Sequence, residues 1–136
     1  MNFNNGMTQG YIKKIYPDKI KAKSLIKSSK QALYSARKIV LETDTLKTIL
    51  RELYEGLRQY CEAIGYEHGY KFLSHESITY FINEILKDNK TAVKFDRYRK
   101  IRNAINYYGN DISEETTREA LVEIPKLIEI LEKHRK

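Results

Sequence analysis

Apolar residues recur along this chain three and four positions apart, the spacing that lines one face of an α-helix. No stretch sustains the apolar/polar alternation of a half-buried strand between turn residues. Ala22, Leu25, Ile26, Ala32, Leu33, Ala36, Ile39 and Val40 predict a first helix from Pro17 to about Val40. Pro17 suits its opening turn, and Asp18 follows where an acid favours the helix dipole. Thr43 or Asp44 caps a second helix, in which Leu46, Ile49, Leu50, Leu53, Leu57, Tyr60, Cys61 and Ile64 keep the spacing until Gly65 and Gly69 mark its end. Ser74 caps a short third helix with Ile78, Phe81, Ile82, Ile85 and Leu86 on its apolar face, closed by an Asp88-Asn89-Lys90 turn. A fourth spans about Ala92 to Tyr108 and stops at Gly109. Ser113, Glu114 and Glu115 open a fifth, lined by Leu121, Ile124, Leu127, Ile128 and Leu131 and expected to kink at Pro125. The chain therefore reads as all-α, an up-and-down bundle of four to five helices over residues 17–136 behind a polar leader, residues 1–16, taken as disordered.

Length and composition fit one such domain: 136 residues, 41% apolar and 32% charged. No run approaches the roughly 18 apolar residues of a membrane span, and MNFNNGMTQG lacks the basic-then-apolar pattern of a secretory signal, so a cytoplasmic protein is expected. Cys61 stands alone, which excludes an internal disulfide and a cysteine-built metal site; no metal and no cofactor is expected. The net charge of +7 is unevenly spread. Residues 1–40 carry nine lysines and arginines against Asp18 alone, and the remainder is nearly balanced. That asymmetry points either to a polyanionic or acidic partner or to a solvated lysine face on the first helix.

Charged, amide and aromatic side chains condense on one helix in FDRYRKIRNAINYYG, Phe95 to Gly109. At about 100° per residue, with Arg102 at zero, Phe95, Tyr98, Ile101, Ile105 and Tyr108 fall in an apolar arc from about +20° to −120°. Asn106 lies at about +40°, Arg99 at about +60° and Asn103 at about +100°, so two guanidiniums and two amides form a stripe beside that arc. Arginine's planar fork pairs with phosphate or carboxylate, and asparagine amides reach ribose, base edges or backbone, so nucleotide or RNA contact suits the stripe. Arg102 and Asn103 could equally tie the helix to an acid such as Glu55 or Glu62.

Arg-x-x-Arg-Asn followed by three residues and an aromatic, as Arg99, Arg102, Asn103 and Tyr107 stand here, resembles the HEPN domain family. The resemblance implies a helical homodimer. In family members active as ribonucleases, a histidine follows the second arginine by four to six residues, and paired motifs meet at the dimer interface as a metal-independent RNA-cleaving site. Here positions 106–109 read Asn-Tyr-Tyr-Gly and no histidine is present. Cleavage through Arg102 and Tyr107 would need a base near neutrality, and a phenol of pKa about 10 is ionised about one part in a thousand at pH 7. His68 and His75, flanking the second joint, read as exposed turn residues, and His134 as part of a fraying tail.

The expectation is thus an HEPN-like dimer that binds RNA or a nucleotide through Arg99, Arg102, Asn103 and Asn106 without efficient catalysis. Some HEPN toxins are nucleotidylated on a motif tyrosine, so a nucleotidyltransferase partner acting on Tyr107 or Tyr108 is implied by the resemblance. The alternatives are a ribonuclease of toxin or defence type with a rearranged base, and a non-catalytic scaffold bundle.

Overall fold

A computed structural model describes residues 1–136 as six helices and one small two-stranded sheet. Four long helices carry the architecture: α2 (Lys19–Lys38), α3 (Leu46–His68), α5 (Asn89–Tyr108) and α6 (Glu114–Glu132). They alternate in direction. Asp18 N–H bonds Tyr66 O while Ser29 Oγ donates to Gly56 O at 2.6 Å, so α2 and α3 are antiparallel. Arg51 meets Asn106, which turns α5 against α3, and Arg97 meets Glu119, which turns α6 against α5. The bundle is all-helical in its main mass, as the periodicity predicts.

Helix α3 is the axis, with Ile49, Leu50, Leu53, Leu57 and Ile64 all 0% exposed. Burial of each such side chain is worth about 1.5–3 kcal/mol relative to exposure. Small residues let α2 lie close against it: a Cβ on Gly56 would sit 3.1 Å from both the Ser29 carbonyl and the Leu33 side chain. Helix ends follow the punctuation. The Asp18 carboxylate accepts from Lys21 N–H at 2.9 Å, Asp88 from Thr91 N–H at 3.1 Å and Ser113 Oγ from Thr116 N–H at 3.1 Å, each satisfying a first-turn donor. Asp18 is therefore the cap itself and Pro17 stands outside α2. Gly65 lies inside α3, which runs on to His68 and closes at Gly69 in the left-handed region, φ 87°. Thr43–Thr45 form a single 3₁₀ turn before α3. Helix α6 continues through Pro125, whose missing N–H leaves the Leu121 carbonyl without its helical donor.

The leader is ordered, contrary to expectation. Residues Phe3–Thr8 form α1, and Ile12–Lys14 form β1, which pairs antiparallel with β2 (Tyr70–Phe72) through Ile12↔Phe72 and Lys14↔Tyr70. Ile12 is 1% exposed, Phe3 packs edge-on against Tyr70 at 5.2 Å, and Phe3 N–H donates to Glu84 at 2.6 Å. A three-residue strand is too short to show a period, and its partner lies far along the chain, so only tertiary pairing reveals it. The short third helix becomes α4 (Glu76–Tyr80) followed by a π-helical turn, Phe81–Ile85. The N-cap is His75 rather than Ser74, which stands one residue earlier with its Oγ accepting from Ser77 N–H at 3.2 Å.

Candidate functional site: a cationic cleft between α5 and the α3–α4 joint

Helix α5 is fixed on its inner side by Phe95 and Tyr98, both 0% exposed, with Tyr98 O–H donating to Glu123 of α6 at 2.6 Å. This sets the rotation of the outer stripe. Arg99, Arg102, Asn103 and Tyr107 then border a cleft of about 440 Å³, closed on its far side by Ser74, His75 and Glu76. Asn106 falls outside it; its amide oxygen accepts from Arg51 Nε at 2.8 Å and joins α5 to α3. Tyr108, placed on the apolar arc by the helical angles, is 81% exposed, because it lies at the helix end beyond the neighbouring helices.

The two motif arginines differ. Arg99 is committed to Asp96, with Nε at 2.9 Å and Nη2 at 2.8 Å, and Thr79 and Lys100 donate to the same carboxylate. Burial opposes ionisation of Asp96, but the hydrogen bonds from Arg99 and Lys100 outweigh it and hold the carboxyl below its usual range. Arg102 has no carboxylate within 4.0 Å. Its guanidinium lies over the Tyr54 ring, 5.6 Å from the centroid, and Nη1 donates to Asn103 Oδ1 at 3.3 Å. Glu55 and Glu62, the acids the sequence offered it, are both held by Arg58.

His75 is the residue that sequence reasoning missed. It is half-buried, not an exposed turn residue, and Nδ1 lies 3.1 Å from the hydroxyl of Tyr54, itself 1% exposed. Burial pushes the Tyr54 phenol far above its usual range, so it remains an O–H donor. The buried hydroxyl has no other acceptor within the chain, and with the phenol donating to Nδ1 the neutral ring carries its proton on Nε2. Burial first, then the positive fields of Arg58, Arg102 and Arg99, lower the His75 pKa to about 4, with Glu55 opposing them. At neutral pH the cleft is thus offered an uncharged imidazole N–H beside an uncompensated guanidinium. The other histidines lie elsewhere: His68 Nε2 bonds His134 O at 2.9 Å, and His134 faces Asp88 at 3.8 Å. The tail is accordingly docked, with Arg135 on Glu67 at 3.1 Å.

The His75 environment makes stability pH-dependent in one direction. A folded-state pKa near 4, against 6.5 for a free imidazole, means that the unfolded chain takes up the proton first as pH falls. Stability referred to His75 is full above about pH 6.5 and is lost between 6.5 and 4. A fully shielded ring would lose about 3 kcal/mol, and one partly in water about half that. Melting temperatures measured across this window should fall in the wild type, and His75→Gln should flatten the decline; an identical decline in the variant would contradict the assigned shift.

No helix is long and apolar enough to cross a membrane. No family model, curated protein or solved structure matches the chain.

Proposed function

We propose that this chain binds RNA or a nucleotide by seating a phosphate between the Arg102 guanidinium and the His75 Nε2–H, as an HEPN-like helical dimer without efficient cleavage. The observation that carries the reading is the free state of Arg102 within the cleft: Arg58, Arg97, Arg99, Arg118 and Arg135 are each ion-paired, Arg37 and Arg51 lie outside the cleft, and its one acid, Glu76, accepts from Tyr80 O–H and makes no ion pair with Arg102. An arginine laid over an aromatic ring keeps its edge N–H groups free for an oxyanion. Asn103 and Ser74 add neutral hydrogen-bonding groups at the rim, and Arg99, steadied by Asp96, adds positive potential. The protonated Nε2 is a donor to phosphate and cannot accept a proton from a ribose 2′-hydroxyl, which supports binding over catalysis. Tyr107 and Tyr108 are 72% and 81% exposed, which leaves both phenols open to a partner nucleotidyltransferase.

Fluorescence anisotropy with a labelled oligoribonucleotide in EDTA, at salt from about 50 to 200 mM, tests this. Affinity should fall steeply with salt while the oligonucleotide stays intact; salt-independent affinity, or none, counts against it.

A second reading follows from His75 sharing the cleft with Arg102. If the Tyr54 hydroxyl turned away and the ring proton moved to Nδ1, Nε2 would become a base for the 2′-hydroxyl, and the chain a metal-independent ribonuclease. A 2′,3′-cyclic phosphate product that disappears in His75→Gln is its signature.

A further inference from the structure

The lysines of α2 form a surface that the cleft does not use. The inner face of α2 is spent on packing through Ala22, Ile26, Ser29, Leu33 and Ala36, so the helix shows Lys19, Lys23, Lys27, Lys30 and Tyr34 to solvent. Steps of four, four, three and four keep these residues on one strip. At about 1.5 Å rise per residue, the four lysine backbone positions are about 4.5–6 Å apart along the axis and span about 16 Å. Helix α2 contains no acid, and none of the four has a carboxylate within 4.0 Å. Like charges at this spacing repel and weaken the helix, so the arrangement opposes the fold it sits on until an anion covers it.

The strip borders a groove of about 610 Å³ whose opposite side carries Arg135 and Lys136. Glu67, the one acid there, is 4% exposed and already bonded to Arg135 at 3.1 Å. Lys27 and Lys30 also border a second, more open hollow with Gln31, Tyr34 and Ser35, so the two run together along α2. Tyr34, 61% exposed, ends the row, with Lys38 Nζ 5.0 Å from its ring centroid.

We propose that this groove holds the phosphate backbone of a single-stranded RNA, with Tyr34 stacking on a base. A cationic track joined to an aromatic platform is how single strands are held without sequence preference. A membrane surface would call for apolar side chains flanking the lysines, and on α2 Ile20 and Tyr34 are the large apolar side chains left exposed. The inference deepens the RNA reading of the cleft, and the two surfaces share no residue.

The test uses the whole chain and a labelled oligouridylate of about twelve nucleotides, within the range of single-strand sites. The combined variant Lys19→Gln, Lys23→Gln, Lys27→Gln, Lys30→Gln alters exposed side chains, and a circular dichroism melt confirms its fold. Its slope of log affinity against log salt should be shallower by about 0.7 for each phosphate no longer neutralised, nearly 3 in all. Tyr34→Ala should weaken binding by about tenfold, within the range of one base stack removed. Arg102→Ala should change the slope by about 0.7 alone. A wild-type slope in the lysine variant overturns the groove and leaves the cleft reading intact. A shallower slope in the lysine variant with no change in Arg102→Ala supports the groove and defeats the cleft. Unchanged affinity in Tyr34→Ala removes the single-strand assignment. Preference for phosphatidylserine vesicles, or equal competition by polyglutamate, overturns RNA as the partner.

Discussion

Arg102→Ala weakens RNA or nucleotide binding by about 10- to 100-fold while leaving the fold intact. A charge-assisted hydrogen bond is worth about 1.5–3 kcal/mol, and each 1.4 kcal/mol is tenfold in affinity. The fold is spared because Arg102 makes no ion pair: removing it strands no carboxylate, and it costs only the packing on the Tyr54 ring and a 3.3 Å bond to Asn103. Arg99→Ala is the informative contrast. It leaves Asp96 a half-buried acid short of its strongest partner, so it lowers the melting temperature as well as affinity. A larger drop in affinity in Arg99→Ala than in Arg102→Ala, at temperatures where both are folded, would mean that the free guanidinium is not the phosphate ligand. Acid should act through His75 in the same assay. A phosphate beside Nε2–H favours the imidazolium and raises its pKa above the unliganded value near 4. Affinity therefore rises as pH falls below the raised value and levels off near 4, and His75→Gln abolishes the rise.

The four long helices were legible because each repeats its apolar spacing over four or more turns, and three carry a marked end, Ser113 before α6, Gly69 after α3 and Gly109 after α5. The stripe on α5 was legible as a composition but not as a site. Angles around an ideal helix place Asn106 next to Arg102, yet they contain no neighbour, and it is Arg51 of α3 that takes Asn106 out of the cleft. Nor do they contain a helix end, which is why Tyr108 sits in solvent. His75 depends on the single bond to Tyr54, 21 positions earlier on another element, and no local pattern announces that pairing. The strands were hidden for the same reason: β1 and β2 hold three residues each and acquire their meaning from one another.

That hidden part of the fold is also what aims His75, and Phe81→Ala exposes the dependence. Phe81 is 0% exposed at the start of the π-helical turn, with the rings of Phe72, His68 and Tyr70 at 5.2, 5.7 and 5.9 Å, so it joins the sheet and the end of α3 to the segment that carries His75. Truncating a buried phenylalanine costs about 3–5 kcal/mol, a large part of the roughly 5–15 kcal/mol that holds a domain folded, and should lower the melting temperature by about 10–20 °C. Surrounding rings have little freedom to collapse into the space, since Tyr70 is held edge-on by Phe3, His68 by the His134 carbonyl, and Phe72 lies against Gly65 of α3. In the cold, where Phe81→Ala is folded, its loosened joint lets His75 drift from Tyr54, so the acid-dependent gain in RNA affinity shrinks although every lining residue of the cleft is unchanged. Ile124→Ala, equally buried but on α6, should lower the melting temperature and keep that acid response. An equal weakening of the response in both variants would show that general loosening, and not the aromatic joint at Phe81, controls the cleft.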